Sequence, residues 1–191
     1  MMGKKLVAFC GPSGAGKSTI ANKVINTLPY FELSISATTR EPRQGEEHGK
    51  HYYFIGRDEF ETKISAGAFL EYEQVYEGLY YGTLYAELDR IWQSGRYPFL
   101  DLDVKGAANL KDKYGDDGFF VFIHPGSIDT LAQRLRKRGT EDERSLEKRM
   151  RRASFELEYA DQFDFVLYND NLEKAETEII EQVKAFMNKP Q

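Results

Sequence analysis

Gly11-Pro12-Ser13-Gly14-Ala15-Gly16-Lys17-Ser18 (GPSGAGKS) fits G-x-x-x-x-G-K-[ST] at every position. Its flanks complete the pattern. Lys4 to Cys10 (KKLVAFC) is a short apolar run stopped by Gly and Pro, as a buried strand would be. Ile20, Ala21, Val24, Ile25 and Leu28 then recur at the spacing of an amphipathic helix that ends at Pro29. Strand, glycine loop and helix form a phosphate cradle. The glycines let successive backbone N–H groups turn toward a phosphate, and the helix N-terminus adds a favourable dipole. Lys17 is placed to reach the outer phosphates and Ser18 to ligate a bridging Mg²⁺. A loop of this kind is shared by GTPases, ATPases and small-molecule kinases, so it predicts a bound nucleotide without naming a reaction.

Outward from the loop, strand and helix patterns alternate. Leu84 to Ser94 reads as a helix, Pro98 to Asp103 as a buried strand, Phe119 to Ile123 as a strand, and Ser127 to Lys137 as a helix capped by Ser127. Ser145 to Ala160 follows as a charged helix, Phe163 to Tyr168 as a strand and Leu172 to Met187 as a closing amphipathic helix. This alternation predicts an α/β fold, a mainly parallel sheet with helices on both faces. Between Ser34 and about Thr83 the texture changes to short β-like pieces, Ser34 to Thr38, Tyr52 to Ile55 and Phe69 to Val75. A short helix over Asp58 to Ser65, with Asp58 as its cap, interrupts them. That stretch is an insertion after the first strand–helix unit.

Composition narrows the class. The chain has 191 residues, 41% apolar and 30% charged, with a net charge of −5, which is globular and argues against a general nucleic-acid binder. No apolar run approaches the ~18–20 residues of a membrane span. The lone Cys10 excludes an intramolecular disulfide framework, and a cytoplasmic protein is expected. Charge is uneven: Arg134 to Arg152 holds nine Lys/Arg against four Asp/Glu. That run reads either as a solvated helix face or as an anion site for one ligand's phosphates.

Thr38-Thr39-Arg40-Glu41-Pro42-Arg43 sets two arginines three apart beside a proline, which suits a dianionic phosphate gripped by two guanidinium forks. Seven of the 12 tyrosines fall between Tyr52 and Tyr85, most of them expected to pack on a small sheet. Glu71 lies in this region among apolar and aromatic neighbours. The loop GPSGAGKS, the segments SATTREPRQGEEHGKHYYF and FLEYEQVYEGLYYGT, the strand FLDLDVKG, and RKRGTEDERSLEKR followed by YND together resemble the guanylate kinase family. The resemblance spans nearly the whole chain.

That resemblance implies one domain over 1–191, built as a parallel-sheet P-loop kinase. Its core would comprise about 1–33, 88–137 and 158–191, with a β-rich GMP-binding insertion at 34–87 and a helical lid at 138–157. It implies transfer of a phosphoryl group from MgATP to GMP, and to dGMP, as part of purine metabolism and GMP recycling. By resemblance, Gly11, Pro12, Ser13, Gly14, Ala15, Gly16, Lys17, Ser18, Thr19, Arg134, Arg138 and Asn169 would hold ATP. Arg40, Arg43, Tyr52 and Tyr81 would hold the GMP phosphate, while Ser36, Glu71, Thr83 and Asp103 read the guanine. Lys17, Arg40, Arg138 and Arg149 would stabilise the phosphoryl group in transfer. Ser18 would serve Mg²⁺ directly and Asp101 through water. Arg136, Lys137, Arg144, Arg151 and Arg152 are expected to be surface charge. His48, His51 and His124 are expected in loops or on the surface.

Physical chemistry agrees with those roles. A carboxylate at Glu71 suits the adjacent N1–H and amine of guanine and opposes the lone pair of adenine. The acceptor oxygen is already ionised at pH 7, so no general base is needed. Two other functions share part of this pattern. One is a kinase for another phosphorylated acceptor such as a ribosyl bisphosphate. The other is a non-catalytic, guanylate-kinase-like module that binds a peptide.

Overall fold

The computed structural model describes residues 4–137 and 143–189. Along the chain run β1 (Leu6–Cys10), α1 (Lys17–Thr27), β2 (Phe31–Leu33), β3 (Ala37–Thr38), β4 (Tyr53–Phe54), α2 (Arg57–Ser65), β5 (Phe69–Tyr76) and β6 (Leu79–Leu84). They are followed by α3 (Tyr85–Gln93), β7 (Tyr97–Asp101), α4 (Val104–Tyr114), β8 (Gly118–His124), α5 (Ile128–Lys137), α6 (Glu143–Leu157), β9 (Phe165–Tyr168) and α7 (Leu172–Asn188). β1 is apolar at every position and wholly buried, as only a strand covered on both faces is. It lies at the centre of a parallel sheet ordered β2-β7-β1-β8-β9.

The period of two along each strand divides this sheet into two cores. Val7, Phe9, Phe99, Val121 and Ile123 face α1 and α7, meeting Ile20, Val24, Ile179 and Val183. Leu6, Ala8, Leu100, Phe120 and Phe122 face the other way, onto Leu88 of α3 and Val104, Ala107 and Leu110 of α4. Each fully buried Leu, Ile or Phe contributes about 1.5–3 kcal/mol by leaving water. No helix among the described residues is long and apolar enough to cross a membrane.

The insertion forms a second sheet, ordered β4-β3-β6-β5, in which β5 and β6 are an antiparallel hairpin. Phe60 of α2 stacks on Phe69 with ring centroids 4.2 Å apart and closes a small core with Ala37. Glu87 fastens this sheet to the main body. Its buried carboxylate accepts from Ile35 N (3.0 Å), Tyr53 OH (2.9 Å) and Arg90 Nε (2.9 Å). The helices α5 and α6 pack through their own cluster of Leu131, Leu135, Leu146, Met150 and Ala153.

The expected parallel α/β architecture is present, with four differences in detail. β2, β6 and α4 lack a counterpart in the pattern, because β2 has three residues and both β6 and α4 carry an internal glycine that weakens their signal. The strand over Pro98 to Asp103 stops at Asp101; Asp103 instead caps α4, accepting from Gly106 N at 2.6 Å. Gly56, not Asp58, is the N-cap of α2, and Asp58 sits in its first turn. His124 is the half-buried last residue of β8, its ring 4.7 Å from that of Tyr168.

Candidate functional site

β1 delivers the glycine loop to the carboxyl edge of the parallel sheet, where open α/β sheets bind their ligands. Gly16 takes a φ of 98°, and a Cβ there would lie 2.3 Å from Asn169 Nδ2, so both conformation and space require glycine. No side chain caps α1, which leaves its first N–H groups for an anion. Lys17 Nζ donates to Gly11 O (2.8 Å) and Pro12 O (3.4 Å), folding the ammonium over the loop it serves. Ser18 Oγ donates to Asp101 Oδ2 at 3.2 Å, bringing together two hard oxygen donors from α1 and β7. Burial pushes the Asp101 carboxyl up, against the nearby Lys17 charge and the Ser18 hydrogen bond.

Arg134 and Asn169 lie beneath the loop. Asn169 is buried; its Nδ2 donates to Ala15 O at 2.7 Å, and Arg134 donates to the same carbonyl (3.3 Å) and to Asn169 O (2.7 Å). Their polar ends therefore brace the loop backbone. From α6, Arg149 Nη1 donates to Ser13 Oγ at 3.1 Å, so this helix touches the loop. Arg138 lies outside the described residues.

Opposite the loop, the second sheet presents a basic cradle. Arg40 Nε donates to Tyr81 OH (3.2 Å), its Nη2 pairs with Glu46 Oε1 (2.9 Å), and its guanidinium lies 5.5 Å from the Tyr52 ring centre. Arg43 N donates to the other Glu46 oxygen at 2.7 Å. The Arg40 guanidinium holds the Glu46 carboxyl down at about 2. Glu46, unassigned by the sequence, thus fixes both arginine-bearing residues.

Glu71 and Thr83 face each other in the β5–β6 register, and Thr83 Oγ1 donates to Glu71 Oε1 at 2.7 Å. Burial pushes the Glu71 carboxyl up to about 7; the Thr83 hydrogen bond opposes this and the Asp103 charge adds to it. Gly106 makes this approach possible, since a Cβ there would lie 3.1 Å from Glu71 Oε2 and 3.4 Å from Asp103 Oδ1. Gly106→Ala is therefore expected to displace the Glu71 carboxylate by a few tenths of an ångström. Any ligand that contacts the Glu71 carboxylate should have its Michaelis constant raised about fivefold while thermal stability holds or improves, alanine being the better helix former by about 1 kcal/mol. Steady-state kinetics beside a melting curve check both halves.

A cleft of about 630 Å³ joins the two halves, with Gly16, Lys17, Arg40, Tyr81, Asp103 and Arg149 on its walls. A neighbouring cavity of about 430 Å³ takes in Glu71, Glu73 and Gly106 and shares Asp103 with it. Ser36, Tyr52 and Thr83 stand outside both linings. Ser36 precedes β3 with its carbonyl accepting from Tyr53 N at 2.9 Å, and Tyr52 backs Arg40. Arg152 is about half exposed, as expected of surface charge, and it also lines the cleft and donates to Glu73 Oε2 (3.2 Å) and Glu156 Oε1 (2.8 Å). Its position three residues after Arg149, hence on the same helix face, was the available signal.

A protein-family profile described as guanylate kinase matches residues 3–189. A guanylate kinase of Chlorobium chlorochromatii is 45% identical over 171 residues, covering 90% of each chain. One of Bacteroides thetaiotaomicron is 43% identical over 185 residues, 97% of this chain and 91% of that one. Among solved structures, a guanylate kinase from Anaplasma phagocytophilum superposes with a TM-score of 0.74 at 29% identity, covering 97% of this chain and 87% of the other.

Proposed function

The chain belongs to the guanylate kinase family and is an ATP:GMP phosphotransferase, and from that premise we propose how its residues divide the work. Residues Gly11 to Thr19 hold the ATP phosphates, with Arg134 and Asn169 bracing the loop. Arg40, Arg43, Tyr52 and Tyr81 hold the GMP phosphate. Ser36, Glu71, Thr83 and Asp103 read the guanine, in an acceptor region at 34–87. A phosphate oxygen of GMP attacks the γ-phosphorus, the bond to the β–γ bridging oxygen breaks, and ADP leaves with that electron pair. Lys17, Arg40, Arg149 and the undescribed Arg138 neutralise the charge spread over the transferred group, and positioning replaces a general base.

Ser18 and Asp101 form an oxygen donor pair that fits Mg²⁺, which prefers carboxylate, hydroxyl and phosphate oxygens. When bound, that ion would neutralise phosphate charge. The observation that carries the reading is the single cleft in which the glycine loop, Arg40 and Arg149 face one another. Nothing in the assigned set reads the ribose, so dGMP is a second acceptor. Recycling of GMP in cytoplasmic purine metabolism is the corresponding role.

The test is ADP release with MgATP and, in turn, GMP, dGMP, AMP, UMP, CMP and ribose 1,5-bisphosphate. Turnover is expected with GMP and dGMP alone. Turnover with ribose 1,5-bisphosphate or AMP would overturn Glu71 as the guanine reader. No turnover while ATP still binds would leave a binding module.

A further inference from the structure

Arg152 Nε is held by Glu156, four residues on along α6, whose side chain is only 11% exposed. Its Nη2 reaches across to β5, 3.2 and 3.4 Å from the two Glu73 oxygens. Two of the guanidinium nitrogens are thus committed to carboxylates. Glu73 is two residues from Glu71, so the two leave the same side of β5, and it lines the same cavity as Glu71 and Asp103. Asp103 is held by the N-terminus of α4, and its charge and that of Glu73 both act on Glu71.

Three carboxyl groups therefore crowd one spot: Glu71 and Glu73 from β5 and Asp103 from the start of α4. Glu156 from α6 flanks them behind Arg152, and Lys105 of α4 lines the same cavity as Glu71. Like charges beside Glu71 favour its taking up a proton, whereas a guanine with two donors needs that carboxylate ionised. Arg152 is the cation whose hydrogen bonds enter this group. Within the reading that Glu71 and Asp103 hold guanine, we propose that Arg152 is a positioning residue for the acceptor. Pairing with Glu73, it holds that carboxylate ionised and oriented beside Glu71, so that α6 sets the affinity for the guanine base.

The test compares Arg152→Met, Glu73→Gln and the double variant, with kcat and both Michaelis constants measured across pH. Arg152→Met is expected to move the acid limb of kcat/KM for GMP up by about one pH unit, raising KM for GMP about tenfold on that limb. Its kcat and its KM for ATP should change less than about threefold on the same reasoning. Glu73→Gln removes a like charge and should move the acid limb down. Combining the two should recover most of the loss. Arg152→Lys keeps the charge and should recover part of it.

A fall in kcat with an unchanged KM for GMP would make Arg152 a contact of the transferred group and overturn the proposal. So would an acid limb that does not move in Glu73→Gln, a near-isosteric change at a side chain 34% exposed. So would a double variant as impaired as Arg152→Met. Glu71→Gln, measured alongside, separates the two layers. If it leaves GMP kinetics intact the guanine reading itself fails, and if it is impaired while the Arg152 variants are not, only this proposal does.

Discussion

Arg149→Ala is expected to lower kcat by about two to three orders of magnitude while KM for GMP stays within about threefold, the pattern of an interaction made chiefly in the transition state. A phosphoryl group in flight carries its negative charge on peripheral oxygens, and a cation that closes over them acts only when they are there. Arg149 is placed for this: it stands on α6, reaches Ser13 of the glycine loop at 3.1 Å, and shares the cleft with Lys17 and Arg40. Arg151 supplies the control. It is two residues away on the solvent side, 79% exposed and paired with Glu147, and Arg151→Ala should turn over like the parent. Rapid-quench measurement of the first turnover checks the chemical step itself. A wild-type rate in Arg149→Ala would return the basic run to a solvated helix face.

Glu71→Gln should raise KM for GMP by about two orders of magnitude and leave KM for ATP nearly unchanged. Two hydrogen bonds to a buried charged group are at stake, each worth about 1.5–3 kcal/mol, and the amide sets one of its own donors against a donor of guanine. The parent should also show a pH dependence that the variant lacks. Burial pushes Glu71 up to about 7, so below that pH the carboxyl is protonated and has one fewer acceptor for the base. Accordingly kcat/KM for GMP is expected to fall with pH through that range. In Glu71→Gln this component of the profile should be gone. A variant with parental GMP kinetics would remove Glu71 from the guanine site.

Much of this architecture is legible in the chain. The glycine loop, its strand and its helix appear where the pattern puts them, because an unbroken apolar run and a 3.6-residue period are strong local signals. Arg40, Arg43 and Tyr81, and Ser18 with Asp101, could be named from motif and resemblance, and they meet across one cleft. What escaped was decided by neighbours distant in sequence. Gly106 weakens the helical pattern of α4, yet the helix forms because Val104, Ala107 and Leu110 are buried on the sheet, and the glycine itself leaves room for Glu71. The pairing of Arg152 with Glu73 joins residues 79 apart in the chain, which no local pattern reports. Asn169 shows the same dependence on distant neighbours: its buried amide nitrogen donates to Ala15 O, 154 residues away in the chain.

The crowding around Glu71 also bears on how firmly the protein holds together. A carboxyl whose proton affinity is higher in the folded state than in the unfolded chain contributes most to folding at low pH, and that contribution fades as pH climbs from the ordinary 4.5 toward about 7. At neutral pH the buried Glu71 carboxylate therefore works against the fold. A bound base that gives the carboxylate its missing partners reverses this, and any ligand that prefers the folded state shifts the balance further. GMP is then more than a reactant. Added GMP is accordingly expected to raise the melting temperature of the chain by an amount that grows with its concentration.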